Sequence, residues 1–133
     1  MQMKQLLTVG VLTLSSTLAM AGKVNVYPVA VTLNADGSGN ASGNMASARA
    51  SANDVEYIGC GVRATENSTG GANFNGFCQA GDATGVTAYC WTQNRELLDV
   101  IKNVADYSFV TFSWNVDGQC RFVGISTQSF YIP

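Results

Sequence analysis

The sequence predicts an α+β fold that is predominantly antiparallel β: a small disulfide-stapled sandwich or curled sheet with one short amphipathic helix. Three observations predict it. Short runs rich in Val, Ile, Thr, Tyr, Phe and Trp recur between clusters of Gly, Asn, Asp and Ser, the rhythm of strands and tight turns. One segment, NRELLDVIKNVAD from Asn94 to Asp106, carries apolar residues at helical spacing. Four cysteines, Cys60, Cys78, Cys90 and Cys120, are distributed through the β-rich part, as in small domains stapled in an oxidising compartment.

The first stretch, MQMKQLLTVGVLTLSSTLAMA, reads as a signal peptide. It has one charge at Lys4, an apolar run from Leu6 to Met20 that Thr and Ser interrupt, and small residues at Ala19 and Ala21. The run is too short and too polar for a membrane span, so cleavage after Ala21 is expected, with residues 22–133 as one secreted or periplasmic domain.

Along that domain, Val24, Val26, Val29, Val31 and Leu33 with Tyr27 form a first strand, which Pro28 restricts to an edge or a bulge. NADGSGNASGN, from Asn34 to Asn44, reads as a turn, and the small residues from Met45 to Ala50 as a weak second strand. Val55 to Thr65 is a stronger strand, in which Gly59 and Gly61 flank Cys60 and make room for close backbone approach or a bulge. After a loop from Glu66 to Gly76, Phe77 to Ala80 and Val86 to Trp91 form a hairpin around Asp82-Ala83-Thr84-Gly85, which suits a type I turn followed by a left-handed glycine. In the helical segment Leu97, Ile101 and Val104 fall at i, i+4 and i+7, with Asn94 as the cap and Glu96 in the first turn, giving about three turns. The last hairpin places Val110, Phe112, Trp114 and Val116 on one face, turns through Asp117-Gly118, and returns along Gln119 to Thr127.

Two disulfides and no free thiol are expected, because an even number of cysteines meets an oxidising compartment and no histidine is present to activate a thiolate. The hairpin register brings Cys78 opposite Cys90, which favours the pairs Cys78–Cys90 and Cys60–Cys120. A loop centred on Thr69 would instead oppose Cys60 and Cys78, giving Cys60–Cys78 and Cys90–Cys120; this loop is longer and less well specified, so the pairing ranks second.

Composition narrows function mainly by exclusion. Charged residues make up 12% of the chain and the net charge is −2, so the basic excess that attracts nucleic acid is missing. With no histidine, Ser-His-Asp chemistry has no base. Paired-carboxylate hydrolysis stays formally open, but no two acidic residues sit in a context that specifies a shared cleft. Asn34 to Met45 has a calcium-loop rhythm but ends on Met45 where a bidentate Glu is required. No catalytic residue, metal or cofactor is therefore expected. Trp91 and Tyr131 are the candidate binding aromatics, Tyr131 because it lies in the apolar tail FYIP. The favoured expectation is a non-catalytic binding or self-assembling surface protein, with self-association, an extracellular protein or a glycan as partner and no membrane span once the leader is removed. Edges at the Pro28 strand and the tail would serve strand addition. A toxin or inhibitor acting on another protein or cell is the alternative, and a carboxylate-dependent hydrolase ranks last.

Overall fold

In the computed structural model, residues 22–133 are described; the predicted leader and its cleavage point after Ala21 lie outside the described residues. The elements in chain order are strands β1 (Ala30–Leu33) and β2 (Gly39–Asn44), helix α1 (Met45–Arg49), strands β3 (Tyr57–Glu66), β4 (Ala72–Gly81) and β5 (Thr87–Thr92), helix α2 (Arg95–Ile101), and strands β6 (Phe109–Trp114) and β7 (Cys120–Ser126), followed by a 3-10 turn at Ser129–Tyr131. They form two antiparallel sheets, β1-β2-β6-β7 and β3-β4-β5. The predicted fold class is the one observed: mostly antiparallel β in two sheets, with two disulfides.

The inner faces follow from the two-residue period of strands. On the smaller sheet Ile58, Ala80 and Ala88 form one inward row and Cys60, Cys78 and Cys90 the next. On the larger sheet Ala41, Phe112 and Val123 lie side by side beneath them, with Val110 and Trp114 on either side of Phe112. The small side chain of Ala41 leaves room for the wholly buried Phe112 ring, so large and small residues alternate across the row. Helix α2 covers this layer, with Leu98 and Ile101 resting on Gly76, where a Cβ would meet their methyl groups within 2.9 Å.

Three expected elements are replaced. Ala72–Gly76, the second half of the loop expected from Glu66 to Gly76, belongs to β4 and pairs with β3. Gly39–Asn44, predicted as a turn, is strand β2 at the heart of the larger sheet, and Met45–Arg49, predicted as a strand, is helix α1. The glycines of β2 serve close packing rather than turning. A Cβ on Gly39 would run into the Thr32 carbonyl oxygen and lie 2.5 Å from the Trp114 ring, and one on Gly43 would lie 3.0 Å from Val29. Asn44 then starts α1, its Oδ1 accepting from the Ser47 amide at 2.8 Å. The first strand is also shorter than predicted. Residues 24–29 run beside α1 and the C-terminal turn without joining the sheet, through hydrogen bonds such as Asn44 N–H to the Tyr27 carbonyl at 3.0 Å. Helix α2 ends at Ile101 rather than after three turns, because Asn103 and Val104 donate to residues three back and tighten the chain out of the helix.

The hairpins β1-β2, β3-β4, β4-β5 and β6-β7 are closed by one local device. Each turn runs Asn or Asp, two residues, a glycine at positive φ, and one more residue: Asn34 to Ser38, Asn67 to Gly71, Asp82 to Val86 and Asn115 to Gln119. The glycine N–H donates to the first residue's carbonyl, and the first residue's N–H donates to the carbonyl of the fifth. In three of the four the Asx side chain also accepts backbone N–H groups from within the turn, as Asn67 Oδ1 does from Thr69 and Gly71. This is the three-residue hairpin loop with a left-handed glycine. The last turn is accordingly Val116-Asp117-Gly118, not the two-residue turn predicted at Asp117-Gly118.

The disulfide pairing is corrected as well. The structure joins Cys60 to Cys78 and Cys90 to Cys120, the ranking-second set, and leaves no cysteine free. Cys78 does sit opposite Cys90, as the β4-β5 register requires. It lies on a central strand, however, and is equally opposite Cys60 on β3. The Asn67 turn specifies that second register as tightly as the Asp82 turn specifies the first, so the hairpin argument favours neither neighbour; Cys78 is bonded to Cys60, and Cys90 to Cys120 from the other sheet.

A pH dependence follows from the Asp82 turn. The Thr84 hydroxyl donates to Asp82 Oδ1 at 2.7 Å and, with the Val86 and Thr84 amides, holds the carboxyl below its ordinary value of 3.8, although partial desolvation opposes this. A depressed folded pKa means that the ionised turn stabilises the protein above the unfolded value and that this contribution is lost as pH falls through the folded value. Asp82→Asn should keep the turn, since Asn67 and Asn115 perform the same role, while losing the titration. Thermal unfolding at neutral pH and below about pH 4 should show the gap between wild type and D82N narrowing on acidification. A constant gap would contradict this role of the Asp82 carboxylate.

Candidate binding groove

The two sheets meet at one corner. Trp91 at the end of β5 donates its amide N–H to the Gly118 carbonyl at 3.1 Å and bridges in parallel to Gln119, while the neighbouring Cys90 is bonded to Cys120. A groove of about 560 Å³ opens beside this corner, lined by Trp91, Gln93, Asn94, Glu96, Gln119 and Arg121 among others.

Each wall has a local origin. On β7 the register slips beside Trp114: Ser113 faces Phe122 and Trp114 faces Cys120, leaving Arg121 as the extra residue of a β-bulge. The bulge lets Cys120 point inward to Cys90 while Arg121 lines the groove, the kind of re-aiming that bulges provide. Opposite, β5 ends where Thr92 Oγ1 accepts from the Asn94 amide at 3.1 Å and Asn94 Oδ1 accepts from the Leu97 amide at 3.2 Å. This starts α2 and sets Glu96 in its first turn on the rim. The Cys90–Cys120 bond ties the walls together.

Trp91 also belongs to the outer face of the small sheet. By register, Gly61, Phe77 and Trp91 form one outward row, Gly59, Gln79 and Tyr89 the next, and Tyr57, Gly81 and Thr87 a third. Tyr89 is 54% exposed, Tyr57 42% and Trp91 36%. The Phe77 and Tyr89 rings stack with centroids 6.3 Å apart, and the Arg63 guanidinium lies 4.7 Å from the Phe77 centroid. The two glycines beside Cys60 therefore serve this outer face. Gly61 is roofed by Phe77, whose ring a Cβ would meet at 2.8 Å, whereas nothing lies within 4 Å of the Cβ position at Gly59. The result is an aromatic-lined outer face with space above Gly59, which shares Trp91 with the groove.

The other predicted binding aromatic, Tyr131, is not available. It is 8% exposed, stacked on Phe109 at 5.8 Å and edge-on to Tyr27 at 5.9 Å, because the 3-10 turn folds the FYIP tail back onto the larger sheet. An apolar tail with a turn-forming Ser129 ahead of it finds cover where a gap exists, here over Phe109. Trp114 is likewise buried, its Nε1–H donating to the Gly37 carbonyl at 3.0 Å. Sequence reasoning named Trp91 and did not find Gln93, Gln119 or Arg121, whose roles depend on the bulge and the corner.

Among the described residues Glu96 is the one carboxylate lining the groove, so no second described carboxylate stands beside it there to make the pair that carboxylate hydrolysis needs. Among the described residues the set with metal-ligand spacing is Cys78, Cys90 and Cys120, whose sulfurs lie within 4.8 Å of one another, and all three are committed to disulfides. Among the described residues no helix is long and apolar enough to cross a membrane. Compared with known proteins, the chain matches no family model, no curated sequence and no solved structure.

Proposed function

We propose that the protein is an exported, non-catalytic binding domain whose ligand is a glycan held on the aromatic platform and in the adjoining groove. The observation that carries this reading is the placement of Trp91, with one exposed ring serving both the platform of Tyr57, Phe77 and Tyr89 and a groove rich in amide groups. Sugar rings present apolar C–H faces and a rim of hydroxyls. Exposed Trp and Tyr rings match the first, and Gln79, Gln93, Asn94, Gln119, Arg121 and Glu96 supply donors and acceptors for the second. The two disulfides fit an extracellular setting. Assembly through the C-terminal tail loses its main support, since Tyr131 is covered by its own chain.

A library of neutral and acidic oligosaccharides presented to the oxidised protein should yield a binding class. Trp91→Ala should weaken it by at least roughly tenfold, as truncating a central aromatic anchor does. Circular dichroism of the variant should be that of the wild type, because the ring lies outside the core. Binding that survives both Trp91→Ala and Tyr89→Ala would contradict the site, and a library with no binder would contradict the ligand class.

A further inference from the structure

The row Cys60, Cys78, Cys90 runs straight across three strands, so Cys78 has a directly opposed cysteine on each side. Its own bond is to Cys60, yet its sulfur lies within 4.8 Å of those of Cys90 and Cys120. Burial is uneven along the row. Cys78 and Cys90 are wholly buried and Cys120 nearly so, whereas Cys60 is only partly buried, on the strand that forms an edge of the small sheet among the described residues, with α1 packed nearby.

We propose that these two disulfides form an internal exchange relay, in which reduction entering at Cys60 is passed by Cys78 to the bond between the sheets. A small dithiol approaches from the β3 edge, and its thiolate attacks Cys60 Sγ, the sulfur of the less buried residue of that bond. A mixed disulfide forms on Cys60 and Cys78 leaves as a thiolate. Confined in apolar surroundings where its charge is poorly solvated, the Cys78 thiolate is already beside a second disulfide. It attacks Cys90 Sγ, its partner in the strand register; the Cys78–Cys90 bond forms, the Cys90–Cys120 bond breaks, and Cys120 leaves and takes a proton. The second thiol of the reductant then releases Cys60 as a free thiol. One dithiol is oxidised to its disulfide and one protein disulfide is lost, with thiols at Cys60 and Cys120.

The outcome differs from simple loss of the exposed bond. Both sulfurs of the remaining disulfide now belong to the small sheet, and the covalent tie between the groove wall at Trp91 and the wall at Arg121 is gone. Reduction at one edge thus loosens the corner at the other.

The test is partial reduction of the wild-type oxidised protein with less than one equivalent of dithiothreitol at mildly alkaline pH. An acid quench, alkylation of free thiols and non-reducing peptide mapping follow. The expected two-thiol species carries label on Cys60 and Cys120 and retains a Cys78–Cys90 cross-link. Label on Cys60 and Cys78 with Cys90–Cys120 intact would overturn the relay, as would label on Cys90 and Cys120 with Cys60–Cys78 intact. A mixture containing only untouched and four-thiol protein would overturn it as well.

Discussion

Phe112→Ala is expected to destabilise the domain by about 3–5 kcal/mol, the usual cost of emptying a buried aromatic site. The ring has no exposed surface, sits between Ala41 and Val123 in the strand register, and lies 5.8 Å from the Trp114 ring. Ala41 is too small and the β2 backbone too closely held at Gly39 and Gly43 for the sheet to collapse into the space, which favours the upper part of the range. A domain of this size has only about 5–15 kcal/mol to lose. Chemical denaturation should show a large fall in midpoint with little change in slope. A loss below about 1 kcal/mol would mean that the two sheets do not stack through this residue.

Removing the bond between the sheets should cost nearly as much. Cys90→Ser with Cys120→Ser opens a disulfide spanning 30 residues, for which chain entropy predicts about 3.5–4 kcal/mol, against about 3 kcal/mol for the 18-residue span of Cys60→Ser with Cys78→Ser. The hydroxyls of two serines would also be buried among apolar groups without assured partners, which adds to the loss. Calorimetry should show the first pair lowering Tm by roughly 15 °C or more. The second pair should be the milder of the two, since Cys60 lies at a sheet edge. The reverse order would contradict the role of Cys90–Cys120 as the link that holds the corner and its groove together.

Helix α2 was legible in the sequence because its signal is local: Leu97 and Ile101 recur at helical spacing and Asn94 caps the first turn, although Val104 lies beyond the helix end and Leu98 rather than Leu97 is buried beside Ile101. Strands β3, β5, β6 and β7 were legible for the same reason, through β-branched and aromatic runs between turn residues, whereas the first half of β4, Ala72–Gly76, reads as loop because ANFNG is poor in strand-forming residues and is held in the sheet by pairing with β3. Strand β2 was not legible, because GNASGN is poor in strand-forming residues and is made a strand by its neighbours. Its glycines are required by the Trp114 ring and by Val29, which lie far away in sequence. The four turns share one local signal, Asn or Asp three residues before a glycine, which is plainest at Asp82 to Gly85. The Asn67 to Gly70 turn sets the β3-β4 register and puts Cys60 opposite Cys78 as firmly as the Asp82 turn puts Cys90 there, so the pairing depends on the approach of Cys120 from the other sheet, which no local signal carries. The groove was legible only at Trp91. Arg121 enters through a bulge, and a bulge is a mismatch between two strands rather than a property of either sequence.

The most direct test of the proposed site is an amide and indole nitrogen–proton correlation spectrum of the oxidised protein, titrated with an oligosaccharide from the binding class. The two tryptophans provide an internal comparison, because Trp91 is exposed on the platform and Trp114 is buried with its indole N–H bonded to the Gly37 carbonyl. The Trp91 indole and the amides of Gln79, Tyr89 and Gln119 should shift progressively while the Trp114 indole stays in place. Shifts confined to β1 and the residues around Tyr131, with the Trp91 indole unmoved, would contradict the proposed site.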